Sequence, residues 1–102
     1  MSNTIQRSLF IETREWFDKS GGDSYFTARV WVDGEVAFTL PFQYGYGNTS
    51  EYVAHKQLLE RGYLPQEGKN YRALSYVARD LGIDYYATKS LVNKRDLFRT
   101  VA

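Results

Sequence analysis

The chain is predicted to fold as an α+β domain, a three-stranded antiparallel meander followed by two helices and a C-terminal strand or third helix. Three observations carry this. Residues 8–17, 25–32 and 35–42 are rich in aromatic and β-branched side chains and are separated by turn-forming residues. Residues 49–61 and 71–81 place apolar side chains at helical spacing, and each run is closed by a glycine. The 102 residues are enough for one modest core and too few for two, so residues 1–102 are read as a single domain.

The first strand, Ser8 to Phe17, is followed by Asp18-Lys19-Ser20-Gly21-Gly22-Asp23, the composition of a solvent-exposed loop. Asp33-Gly34 marks the turn of a hairpin formed by the next two strands. The side-chain pattern favours a three-residue loop, Val32-Asp33-Gly34, with Gly34 as a left-handed bulge residue. That register sets Val30 opposite Val36, Ala28 opposite Phe38 and Phe26 opposite Leu40, giving one apolar face on which the helices pack. The other face then carries Tyr25, Thr27, Arg29 and Trp31 opposite Glu35, Ala37 and Thr39, and Thr27→Ala is expected to cost little.

Asn48-Thr49-Ser50-Glu51 supplies capping oxygens and a first-turn acid for a helix running to about Arg61. Its apolar arc is Tyr52, Ala54, His55, Leu58 and Leu59, with His55 read as a core or boundary residue. Gly62, the apolar Tyr63 and then Pro65 mark its end. The second helix has a stripe of Tyr71, Leu74, Val77, Ala78 and Leu81, closed by Gly82 and Ile83. Two readings of residues 84–98 are open: Tyr85, Tyr86, Thr88 and Val92 favour a strand, whereas Asp84 is a good N-cap for a helix carrying Ala87, Leu91 and Val92 on one side.

Two surfaces are candidate sites. Tyr25, Arg29 and Trp31 on the polar face of the hairpin, with Tyr44 and Tyr46 beside the helix start, combine the residue types that dominate protein-binding hot spots. Residues 74–94 also match a helix-turn-helix pattern at Val77, Ala78, Leu81, Gly82, Ile83 and Leu91, with Thr88 standing where an aliphatic residue is expected. Under that alternative, Tyr85, Tyr86, Lys89, Asn93 and Lys94 face a DNA major groove, with Arg95 and Arg99 near phosphate. Gly45-x-Gly47 lies between a strand and a helix, where backbone amides can hold an anion. It lacks the third glycine of a dinucleotide fingerprint, and a sharp chain turn is the simpler role for it.

Composition narrows the function classes. The formal charge is +1, with seven Lys+Arg against nine Asp+Glu in residues 1–70 and six against three in residues 71–102, a slight C-terminal basic bias. Nine Tyr, six Phe and two Trp exceed what a small core needs, and the surplus points to surface contacts. Zero cysteines and one histidine leave no disulfide framework and no thiolate or histidine metal site, so no cofactor or metal is expected. No nucleophile has a base fixed by spacing, and the chain is not expected to be an enzyme. The first residues lack a signal-peptide pattern and no apolar run is long enough to span a bilayer, so a cytoplasmic location without membrane contact is expected.

The run Ala28-Arg29-Val30-Trp31-Val32-Asp33-Gly34, followed by Pro41-Phe42-Gln43-Tyr44-Gly45-Tyr46-Gly47, resembles small bacteriophage and prophage accessory proteins that share a hairpin, a Gly-Tyr-Gly junction and a helix. The resemblance covers roughly residues 24–64, with Lys94-Arg95-Asp96-Leu97 as a second element. It implies no catalytic residues. It implies stoichiometric binding to a host or phage protein in the cytoplasm of an infected or lysogenic bacterium, inhibition of a host defence system being one form of this. A DNA-binding regulator is the alternative.

Overall fold

The computed structural model describes residues 4–64 and 74–96. Along the chain come β1 (Ser8–Asp18), β2 (Asp23–Val32), β3 (Glu35–Tyr44), α1 (Thr49–Glu60), α2 (Leu74–Leu81) and β4 (Asp84–Leu91). The α+β class is as predicted, but the sheet has four strands in the order β3-β2-β1-β4. The three meander strands are antiparallel, and β4 adds to the free edge of β1 in parallel, Ser8 facing Asp84 and Glu15 facing Leu91. The predicted helix start at 71–73, including Tyr71, lies outside the described residues, as do Pro65, Leu97 and Arg99.

Alternation along β1 and β2 sorts the side chains. Leu9, Ile11, Phe26, Ala28, Val30, Phe38 and Leu40 face the helices and form the core with Ala54 and Leu58 of α1 and Leu74 and Ala78 of α2. Both helix ends behave as their sequences indicate. Gly62 and Gly82 have positive φ, and the amides of Tyr63 and Ile83 reach back to the carbonyls of Leu58 and Ala78. His55 is buried within α1's inner face, whereas Tyr52, assigned to the same arc, is 59% exposed.

The hairpin register differs from the expectation. Asp33 (φ 53°) and Gly34 (φ 88°) form a two-residue turn that pairs Val32 with Glu35, as Asp-Gly favours. The phase is reset inside the strands instead. One irregularity separates the Trp31·Val36 pair from Val30·Phe38, and a second separates Ala28·Leu40 from Phe26·Gln43. Pro41, which cannot donate to a ladder, falls in the second one, on an edge strand. The apolar set predicted for β2, with Phe38 and Leu40, is buried, but Val36 faces the other way and is 45% exposed. Thr27 does lie on the face away from the helices, yet it is fully buried there, flanked by Tyr25 and Arg29 on β2 and by Arg14 on β1, so Thr27→Ala removes a buried side chain.

Asp33 also fixes the approach to β1. Its carboxylate accepts from the backbone N–H groups of Arg7 (2.6 Å), Ser8 (3.1 Å) and Gln6 (3.1 Å), and its own N–H donates to Ser8 O (2.9 Å). Partial desolvation pushes the carboxyl upward, but the three amides and the Arg7 charge outweigh it and hold its pKa below the ordinary 3.8. Because the folded pKa is depressed, this stabilisation is present above the unfolded value and is lost as pH falls through the folded one. Asp33→Asn is therefore expected to cost about 1 kcal/mol at neutral pH, given the group's exposure. In urea titrations the difference from the parent chain should vanish in acid well below the ordinary carboxylate range; a pH-independent difference would assign the effect to the turn alone.

Candidate binding face

Neither α1 nor α2 covers the second face of the sheet, and the short helical turn at residues 94–96 borders one end of it. Cross-strand registry places Phe10, Glu12, Arg14 and Trp16 of β1 on it, beside Tyr25, Thr27, Arg29 and Trp31 of β2, Val36, Thr39 and Tyr44 of β3, and Tyr86 and Thr88 of β4. An antiparallel sheet that faces water on one side ordinarily alternates apolar-in with polar-out. Here aromatic rings take six of those thirteen outward places.

The rings form two clusters. At one end Trp16 stacks on Tyr25 (5.8 Å between centroids) and Tyr25 on Phe42 (5.1 Å, nearly parallel planes), with Tyr44 edge-on to Tyr25 (6.0 Å). Lys94 Nζ sits 5.4 Å from the Trp16 ring, and Arg14 donates to Asp96 O (3.3 Å), so the chain after β4 borders this cluster. At the other end Phe10 meets Trp31 (6.4 Å) and the Arg29 guanidinium lies 6.0 Å from the Trp31 ring. Arg29 Nε is also 3.8 Å from Glu12 Oε1, a half-buried ion pair between the clusters. Trp31 Nε1 is buried and has no acceptor among the described residues.

Four of the five residues proposed for protein binding, Tyr25, Arg29, Trp31 and Tyr44, thus share one face. Tyr46 does not join them: it lies beyond β3 in the junction, 64% exposed, its carbonyl accepting from Thr49 Oγ1 (2.7 Å). Phe10, Trp16 and Phe42 are not among the sequence candidates, and Lys94 is one only for nucleic acid. For Phe10 and Trp16 a signal is present, since Leu9-Phe10-Ile11-Glu12-Thr13-Arg14-Glu15-Trp16 alternates cleanly, but it shows its meaning only once the face opposite Leu9 and Ile11 is known to lie away from α1 and α2.

The nucleic-acid set is corrected. Residues 84–91 are a strand, so the helix-turn-helix has no recognition helix, and parallel pairing with β1 divides its residues between two faces. Tyr85 points to the helix side, where its hydroxyl donates to Glu51 of α1; burial, reinforced by that carboxylate, pushes the phenol pKa upward. Lys89 is on the same side and pairs with Glu15 (3.5 Å). Tyr86 is on the open face, Asn93 and Arg95 lie past the strand, and Lys94 covers Trp16.

The glycine junction and the first turn of α1 serve the architecture. Gly45 donates to Ser24 O (3.0 Å), and a Cβ there would come within 2.6 Å of the Phe26 ring. Asn48 makes no side-chain cap. Ser50 instead accepts from Thr13 Oγ1 of β1 (2.9 Å, buried) and Glu51 holds Tyr85 of β4, so the polar first turn docks onto the sheet. Among the described residues no three His, Cys, Asp or Glu side chains are grouped to hold a metal ion, and no helix is long and apolar enough to cross a membrane. No family model, curated protein or solved structure matches the chain.

Proposed function

We propose that the chain is a phage-encoded, non-enzymatic accessory protein that binds a host or phage protein stoichiometrically in the host cytoplasm, and that it does so through the open face of its sheet. The observation that carries this is the concentration of Trp16, Tyr25, Arg29, Trp31, Phe42 and Tyr44 on the sheet face turned away from α1 and α2, where their rings pack on one another. Trp, Tyr and Arg are the residues that most often anchor protein interfaces. Rings already packed against one another lose little rotamer freedom when a partner lands on them. Nucleobase stacking is a poorer fit, because Trp16, Tyr25 and Phe42 present their faces mainly to each other and Arg29 is already paired with Glu12. The phage assignment rests on the hairpin and Gly-Tyr-Gly resemblance, and blocking a host defence enzyme is the form of binding it favours.

The test is capture from host lysate followed by reconstitution with the purified partner. Trp31→Ala combined with Tyr44→Ala is expected to weaken one-to-one binding by at least about 30-fold, the equivalent of roughly 2 kcal/mol, while circular dichroism and melting stay near those of the parent. If the partner is a defence enzyme, its inhibition should track occupancy and be lost in the same variant. Undiminished binding by the folded double variant would move the interface off this face.

A further inference from the structure

The two edges of the sheet are finished differently. On the β3 edge the strand carries Pro41 and two register breaks, devices that blunt an edge against further pairing. On the β4 edge none of these occurs: the pairing with β1 runs without a break from Asp84 to Leu91, and only Tyr85 among those residues is less than exposed. Lysine can protect an edge, but Lys89 is drawn toward Glu15 on the helix side.

The direction of the free backbone groups follows from the ladder. Asp84 N donates to Arg7 O and Val92 N to Glu15 O, so even-numbered residues bond inward to β1, and the amides and carbonyls of Tyr85, Ala87, Lys89 and Leu91 point outward. Among the described residues no strand lies beyond β4 to receive them.

From this we infer that β4 pairs with β4 of a second copy of the chain, antiparallel about a two-fold axis, joining two sheets into one. An isologous pair must keep both helix layers on the same side, so the axis passes through a residue rather than between two. Centred on Thr88, the register makes Tyr85·Leu91′ and Ala87·Lys89′ hydrogen-bonded pairs and so satisfies every outward group; centred on Ala87, it leaves Leu91 outside the ladder. The Thr88 register also suits the side chains. On the helix side the exposed Leu91 meets the half-buried Tyr85 ring and Lys89 faces Ala87, with no like charges opposed. On the open side small side chains meet at the axis, Thr88 against Thr88′ and Tyr86 against Ser90′. The near-zero net charge puts no long-range repulsion between copies. The dimer sets two aromatic faces side by side on one continuous sheet, a bivalent surface for whatever that face engages.

Light scattering on the eluting full chain at roughly 100 μM, enough to populate a micromolar dimer, should give twice the 11.9 kDa of one chain. Ala87→Pro removes an outward donor without touching the β1 ladder and should give a folded monomer. Since the chain has no cysteine, Thr88→Cys adds a unique thiol at the axis, where Cα atoms of a non-hydrogen-bonded pair lie about 4.5 Å apart, within disulfide reach. Mild oxidation should convert it to a covalent dimer, whereas Tyr86→Cys, offset from its own copy along the strand, should not cross-link. A monomeric parent chain, a folded Ala87→Pro dimer, or equal cross-linking of the two cysteine variants would each overturn the proposal; should Ala87→Pro not fold, the cysteine pair decides it.

Discussion

Phe26→Ala is expected to cost about 3–5 kcal/mol, as deletion of a fully buried aromatic ring does, out of the roughly 5–15 kcal/mol that hold a domain of this size together. Phe26 is 1% exposed and stands on β2 among the residues that face the helices. Its Cε1 also lies close to the backbone of Gly45, so the ring spans from the sheet core to the strand–helix junction. Losing it opens a cavity in the core and loosens the junction that aims α1. Urea denaturation measures the loss. A change below about 1 kcal/mol would place the ring outside the cooperative core.

Gly45→Ala is expected to destabilise by about 1–3 kcal/mol through overpacking. The added methyl would lie 2.6 Å from Phe26 Cε1 and 2.7 Å from Thr49 Cγ2. Neither neighbour yields easily, since the ring is buried and Thr49 is tied to Tyr46 O by its hydroxyl. The same contact predicts coupling: with Phe26 replaced by alanine the clash with the ring is gone and only the one with Thr49 remains, so the double variant should cost less than the two single changes added together. Strict additivity would mean that Gly45 is required for its backbone alone.

The sequence and the structure agree where local pattern and tertiary environment ask for the same thing. Alternation in β2 correctly assigned Phe26, Ala28 and Val30 to the core, and the Gly62 and Gly82 stops were readable because each requires a positive φ followed by an apolar residue. The hairpin shows where such reasoning fails. The side-chain pattern alone ties the sorting to loop length, but a bulge one step inside the strand shifts the phase equally well and leaves Asp33-Gly34 free to adopt the two-residue turn it prefers. For residues 84–91 local signals conflict, and a tertiary partner decides: β1, paired on one side by β2, offers its other edge. Ser50 and Glu51 looked like caps, yet they meet Thr13 and Tyr85, strand residues far away in sequence. Of the candidate binding face, Tyr25, Arg29, Trp31 and Tyr44 are legible from the hairpin, while Phe10 and Trp16 require knowing which strand lies beside it.

The parallel union of β1 with β4 sets an order of events during folding. The meander closes through short turns, and α1 follows it directly in the chain, so these parts can assemble from nearby segments. β4 must wait, because the strand it joins is the first in the sequence and everything between has to be made and placed beforehand. On the ribosome, β1 therefore stands with one flank unsatisfied until residue 91 has cleared the exit tunnel. Throughout that interval an intermediate offers an unpaired strand from the centre of the eventual sheet, and the speed with which β4 arrives governs how much newly made protein escapes misassociation.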